Sequence, residues 1–243
     1  MRRSDSIQYL DFCPALAEMV RSQRVVGRSG KVFDNLGAMS TLNNLVILRR
    51  LMLVLKPKRT LEIGLSFGGS ALVFGATHRD LGHASIGQHV ALDPFQETVW
   101  ASSGLAAMER AGLSGYLDFR SAFSAFELPK LVERGEQFGL VYVDGSHLFE
   151  DVIVDFYFVG RLLTDRGIVA FDDSTDPHVH KLIRFIRANF SSYYEPLDLK
   201  PFRPDDGLGW RYSIARALGR NQLTAFRRIR RPERNWDASF HRF

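Results

Sequence analysis

The chain has 243 residues, 45% of them hydrophobic and 24% charged, with a net charge of +5; that is enough apolar side chain for one large core and an ordinary charge content for a globular protein. No apolar run approaches the ~20 residues of a membrane helix, and Asp5, Gln8 and Asp11 interrupt any signal-type segment near the start. A single cysteine, Cys13, excludes an internal disulfide framework and a multi-cysteine zinc site, and these features together point to the cytoplasm.

In chain order, residues 1–39 are irregular and read as an N-terminal extension covering an acceptor site. "STLNNLVILRRLMLVL" (40–55) follows as a helix capped by Ser40 or Thr41, with Leu45, Leu48, Met52 and Leu55 on one apolar face. From residue 59, short β-like runs alternate with helical ones: "RTLEIG" (59–64), "QHVALD" (88–93), "GYLDFR" (115–120), "FGLVYVD" (138–144) and "GIVAFDD" (167–173). Helical spacing fills 97–113 and 149–163. Two further strands, around 192–199 and "WRYSIAR" (210–216), have no clear helix between them. The pattern predicts an α/β fold: a doubly wound, mostly parallel, seven-stranded Rossmann-like sheet with an antiparallel edge, spanning residues 40–216. Residues 217–243 form an Arg-rich tail. From 201 onward there are ten arginines against four acids, chiefly in "RRIRRPER" (227–234), which suits an anionic partner or a solvated tail.

The first strand runs into "LEIGLSFGGSALVFG" (61–75). Gly64, Gly68 and Gly69 sit where a strand turns into a helix, so backbone can approach a ligand and helix N–H groups point outward. The spacing is not that of the G-x-G-x-x-G dinucleotide fingerprint. Asp93 ends the second strand, where a carboxylate can accept hydrogen bonds from ribose hydroxyls. These stretches resemble the class I S-adenosylmethionine-dependent methyltransferases, and "VYVDGSHLFEDVIVDF" with "GIVAFDDS" resembles the catechol-type and sugar-tailoring small-molecule O-methyltransferases among them. The resemblance covers roughly residues 38–216. It implies that Glu62, Gly64, Gly68 and Ser70 position the methionine end of S-adenosylmethionine and that Asp93 holds the ribose. It also implies that Ala122, Phe123 and Ser124 border the adenine and that Asp144 lines the donor site.

Asp144, Asp172 and Asp173 leave adjacent strands at the carboxyl edge of the sheet, where ligands bind in open parallel sheets. Three converging carboxylates repel one another unless a cation is present, and a hard divalent ion such as Mg2+ takes oxygen ligands. A cation would lower the pKa of an acceptor hydroxyl and orient it for attack on the methyl group. The catechol-type resemblance implies the same use of a matching trio; the family often has Asn where this chain has Asp173. His147, three residues after Asp144, occupies the place of that family's basic lysine, and an imidazole with pKa near ~6.5 can take a hydroxyl proton at neutral pH. His178 and His180 are further histidines within reach from the next helix.

The expected activity is methyl transfer to a hydroxyl of a small molecule such as a sugar or phenol, assisted by a divalent cation. A metal-independent enzyme using His147 as base and an RNA ribose methyltransferase are the alternatives. The base-amino methyltransferases carry a Pro-Pro-aromatic loop where this chain has "VDGSHLF". A nicotinamide oxidoreductase conflicts with the glycine spacing, and a non-catalytic binding module with the intact acids and histidine. The acceptor pocket is expected from residues 1–40 and from the aromatic C-terminal region with Trp210, Trp236 and Phe240, "LGW" (208–210) lying beside it. The family resemblance admits a homodimer.

Overall fold

The computed structural model describes residues 7–204, 209–218 and 221–243. Residues 7–39 carry more regular structure than their sequence pattern suggests. Helix α1 (Pro14–Ser22) begins on a proline, whose missing N–H costs nothing at the first helical position. An antiparallel ribbon follows, β1 (Val25–Val26) against β2 (Val32–Phe33). Leu10, Leu16 and Met19 are buried in the same core as the next helix. That helix, α2 (Leu42–Leu55), is capped by the Thr41 side chain, which accepts from the Asn44 N–H at 3.3 Å. Lys56, in the left-handed region at φ 47°, ends it before Pro57.

Five parallel strands carry the site: β3 (Thr60–Ile63), β4 (His89–Leu92), β5 (Leu117–Arg120), β6 (Phe138–Val143) and β7 (Leu163–Phe171). β3 and β4 are buried along their whole length, as strands covered on both faces must be. Between them run α3 (Gly69–Asp80), α4 (Ser103–Arg110), α5 (Ser124–Glu133) and α6 (Phe149–Leu162), and α7 (Pro177–Asn189) follows β7. The helix expected over 97–113 is shorter because Ala101 and Ser102 both take positive φ, 48° and 54°, and break the chain before it starts.

The strand expected over 210–216 is instead helix α8 (Gly209–Ala217). Trp210, Ile214 and Leu218 recur every four residues, a spacing the period-2 reading passed over. The last strand is β9 (Thr224–Arg228), inside the stretch read as a tail. It lies between β7 and β8 (Tyr194–Pro196) and is antiparallel to both, completing the order β5-β4-β3-β6-β7-β9-β8. Its arginines hid it: Arg228 is buried, donating to Asp165 Oδ1 at 2.6 Å and to the Gly160 carbonyl at 3.4 Å. Leu208 lies outside the described residues, and no described helix is long and apolar enough to cross a membrane.

Alternate residues of each strand feed two layers. Leu140 and Tyr142 of β6 join α2 and α3 on one face, while Phe138, Val141 and Val143 join α5, α6 and α7 on the other. Register then determines the site. Leu92, Ile63, Val143 and Phe171 pair side by side across four strands. The next residue of each, Asp93, Gly64, Asp144 and Asp172, therefore leaves the sheet in one row, at the strand spacing of about 4.8 Å. The chain order reverses between β3 and β6, the switch point where such sheets open a crevice.

Candidate active site

A cavity of about 650 Å³ opens above that row. One side is made by Gly64 and Ser66 of the glycine turn with Asp93, Phe95, Phe123 and Ser124; the other is made by Asp144, His147, Asp172 and Asp173. Residues 37–41, Trp100 and Gln222 close it.

Gly64 is required by its backbone. Its φ is +92°, and a Cβ there would stand 2.2 Å from the Asp144 carbonyl oxygen. Gly68, at φ +83°, caps α3 and lies outside the main cavity. Ser70 lines only a small recess beside the cavity, with Gly64, Ser66 and Asp144. Glu62 is fully buried beneath, and its carboxylate accepts from the Ser70 hydroxyl. Ala122 does not line the cavity, whereas Phe123 and Ser124 do. Phe123 packs edge-on against Phe95 at 5.6 Å.

Asp93 orders the turn. Its Oδ2 accepts from the backbone N–H groups of Leu65 (3.2 Å) and Ser66 (2.9 Å) and from Gln96 Nε2 (3.0 Å). Oδ1 accepts only from Phe95 N–H (2.7 Å), so it keeps lone-pair capacity toward the cavity.

The acids fall into two ranks. Asp144, His147 and Asp173 each offer a ligating atom, all within 4.8 Å of one another, and His147 Nε2 is 3.1 Å from Asp173 Oδ2. Asp173 sits at φ +44°, unusual for a residue with a Cβ, and this turns its carboxylate back toward His147 and Gln222. Asp172 stands behind them. Its Oδ1 accepts from Asn44 Nδ2 (2.7 Å) and the Asp173 N–H (2.8 Å), and Oδ2 from the Tyr142 hydroxyl.

Burial raises the Asp144 carboxyl well above the usual carboxylate range, and the charge of Asp172 adds to it. Burial likewise raises Asp172 and Tyr142, the latter with help from both acids. A hydrogen count makes the same point. Ser40 Oγ lies 3.0 Å from Asp144 Oδ2 and 2.8 Å from the Tyr142 hydroxyl, which itself donates to Asp172. Three contacts join four groups, and the two hydroxyls supply only two hydrogens. The set is one hydrogen short when both acids are ionised. A proton on Asp144 supplies the missing hydrogen; the carboxylate oxygens of Asp144 and Asp173, which meet beside His147, are the set that fits a hard divalent ion.

His178 and His180 do not line the cavity; His178 Nδ1 accepts from the Phe149 N–H at the start of α6. Trp210, Trp236 and Phe240 are exposed and do not line it either. Sequence reasoning missed Tyr142 and Asn44 as site residues and weighed Ser40 only as a helix cap; it missed Gln222 altogether. Asn44 carried a signal: it falls four residues before Leu48 on the apolar face of α2 and is fully buried, and a buried amide needs a partner. Tyr142 and Gln222 carried none, one lying in an apolar strand and the other in an unrecognised loop.

Residues 61–174 match the protein family described as "Methyltransferase domain". No curated protein matches the chain. Among solved structures, the O-methyltransferase TomG from Streptomyces achromogenes, involved in tomaymycin synthesis and bound to SAM, is similar with a TM-score of 0.59. It is 20% identical over 75% of this chain and 81% of that one. An O-methyltransferase from Bacillus cereus in complex with SAH has a TM-score of 0.53, with 20% identity over 66% and 74% of the two chains. The strand order, the crevice at its switch point and the match over 61–174 agree: residues 61–174 match a methyltransferase domain, and the fold is similar to that of S-adenosylmethionine-dependent O-methyltransferases.

Proposed function

We propose that this enzyme methylates a hydroxyl group of a small molecule, and that its acidic wall serves the acceptor. Gly64, Ser66 and the recess by Ser70 suit the methionine end of the donor. Asp93 Oδ1 suits a ribose hydroxyl, and Phe123 with Ser124 suits the adenine edge. The observation that carries the reading is the meeting of Asp144, His147 and Asp173 in the same cavity as that donor wall. Asp144 and Asp173, with Asp172 behind them, would hold a divalent cation, Mg2+ by the oxygen character of the set; bound there, it supplies Lewis acidity that makes an acceptor hydroxyl easier to deprotonate. Asp173 orients the His147 ring, and His147 takes the acceptor proton. A second reading rests on the 3.1 Å His147–Asp173 pair: an Asp-steered histidine base can act without metal.

Titration of Mn2+ into protein saturated with S-adenosylhomocysteine, followed by electron paramagnetic resonance, separates the two. Near-stoichiometric binding that Asp173→Ala abolishes supports the metal-assisted form, with vicinal-diol and catechol acceptors as substrates. Absence of binding, with methyl transfer to single hydroxyls lost in His147→Ala, supports the second. Donor binding without transfer to any hydroxyl compound refutes both.

A further inference from the structure

A second set of titratable groups lies on the far side of the glycine turn, outside the cavity. Glu62 Oε2 is 3.1 Å from His89 Nε2. His89 Nδ1 is 2.9 Å from Thr60 Oγ1, which is 2.9 Å from His78 Nε2. His78 Nδ1 is 2.8 Å from His83 Nδ1. Glu62, His89, Thr60 and His78 are fully buried, and His83 reaches the surface. Phe74 stacks on the His89 ring at 4.5 Å and fixes its plane.

A neutral imidazole has one N–H and one acceptor nitrogen, so when Thr60 donates to one imidazole and accepts from the other, fixing one end of this chain fixes every hydrogen along it. Two arrangements satisfy all the contacts and also pair the Thr60 hydrogen, which has no partner in the chain when Thr60 accepts from both imidazoles. In one, Glu62 is protonated and donates to His89, and every hydrogen points outward to His83. In the other, Glu62 is ionised, His89 donates to it, and every hydrogen points inward. No group is left unpaired in either, an uncommon property for a buried carboxyl.

We propose that Glu62, His89, Thr60, His78 and His83 form a proton wire through which Glu62 gives up a proton to solvent when the cationic methyl donor binds, and regains it when the neutral-sulfur product replaces the donor. The proposal rests on the donor-site reading above, since Glu62 touches the donor recess through Ser70. The step balances as five transfers. The Glu62 proton passes to His89 Nε2, and the His89 Nδ1 proton to Thr60 Oγ1. The former Thr60 hydroxyl proton passes to His78 Nε2, and the His78 Nδ1 proton to His83 Nδ1. The His83 Nε2 proton leaves to water.

The surroundings favour a proton on Glu62 until a cation arrives. It is faced by the Ser70 hydroxyl from α3, by His89 from β4 and by Tyr142, its paired neighbour on β6. The charged groups it senses are carboxylates: the charge of Asp93 raises it, and it in turn helps to raise Asp144. Burial is the largest cause, and the Glu62 carboxyl is pushed up to about 8. Burial also pushes His89 and His78 down to about 3, so both imidazoles are neutral, as the wire requires. S-adenosylmethionine carries one more positive charge than S-adenosylhomocysteine, and that charge favours ionised Glu62.

Calorimetric binding of S-adenosylmethionine at pH 7, in buffers of different ionisation enthalpy, counts the protons released. With a pKa near 8 in the free protein, release should approach ~0.9 proton per donor bound, and S-adenosylhomocysteine should release markedly less. Glu62→Gln, brought to the same donor occupancy by a higher concentration where its affinity is lower, should release none. Equal release from native protein and Glu62→Gln overturns the proposal while leaving the donor site standing. Failure of the native protein to bind donor overturns both. The path is tested by stopped flow with a pH indicator, donor binding being read from Trp100 in the cavity wall. Thr60→Val and His83→Phe should each make release lag behind binding. His83 is only half-buried, so its replacement leaves the core intact. Release in step with binding in both variants refutes the wire.

Discussion

Asp155 offers a direct measure of what burial costs this fold. It lies on α6 with 1% of its surface exposed, and neither carboxyl oxygen meets a partner at full hydrogen-bond geometry among the described residues, the Ser124 hydroxyl being the nearest donor. Burial is the main cause that pushes its carboxyl from 3.8 up to about 7; the nearby Ser124 hydroxyl opposes the shift and Asp151 adds to it. Between those values the folded chain holds a proton that the unfolded chain has released, so stability falls as pH rises. At about 1.4 kcal/mol per pH unit, the loss from pH 4 to pH 7 comes to about 4 kcal/mol. Asp155→Asn removes the titration and keeps the shape. Urea unfolding should give nearly equal stabilities at pH 4 and an advantage of up to about 4 kcal/mol for the variant at pH 8, or roughly 8 °C in melting temperature. Stability profiles that run parallel from pH 4 to 8 would refute the reasoning, because they would mean that Asp155 is ionised and stabilised in the fold.

Three other substitutions probe the site. Asp172→Asn can keep the carbonyl that accepts from Asn44 and the Asp173 N–H, so stability and S-adenosylhomocysteine affinity should hold while turnover drops roughly 100-fold or more; equal loss of turnover and affinity would sink its assignment to the acceptor side. Gly64→Ala places a Cβ 2.2 Å from the Asp144 carbonyl, whereas Gly82→Ala, at φ +73°, meets open space. Gly82→Ala should cost about 1–2 kcal/mol of conformational strain, and Gly64→Ala clearly more, with donor binding lost; equal costs in chemical denaturation would refute the close approach. Asn44→Leu removes one of the two donors to Asp172 Oδ1 and should destabilise the fold by about 1–3 kcal/mol, whereas a variant as stable as the native chain would show that Asp172 does not depend on it.

The sheet and the edge on which the site sits were legible because both follow from period. Runs such as "FGLVYVD" and "GIVAFDD" are too apolar for an exposed strand and end on acids, and strands that end together bring those acids together. Side-chain partners were not legible. Tyr142 looked like one more core aromatic, and only the pairing of β6 with β7 and the packing of α2 bring its hydroxyl between Ser40 and Asp172. The C-terminal strand failed for a different reason. "TAFRR" pairs on both edges through its backbone, and that demand leaves no mark on side-chain polarity when a buried arginine finds a carboxylate such as Asp165. The buried histidines were visible as residues but not as a chain, since Thr60, His78 and His89 lie on three separate elements.

The two polar sets differ in what they need from a ligand. The Glu62 wire is fully hydrogen-bonded with its carboxyl protonated or ionised, so it can follow a charge that arrives and departs. The Ser40–Tyr142 set is not: with Asp144 and Asp172 both ionised, one contact has no hydrogen, and a proton on Asp144 completes it. A donor that is cationic before transfer and neutral after it suits the first set. A proton held on Asp144 until a cation takes its place suits the second. The division predicts that the two ligands release protons independently of each other. Donor binding should release protons through the wire, while loading Mn2+ should displace the proton held between Asp144 and Asp172 whether or not Glu62 can ionise. In Glu62→Gln, proton release on Mn2+ binding should therefore persist and release on donor binding should vanish. Loss of both together would mean that the two sets share one proton across Gly64, and the separation argued here would fail.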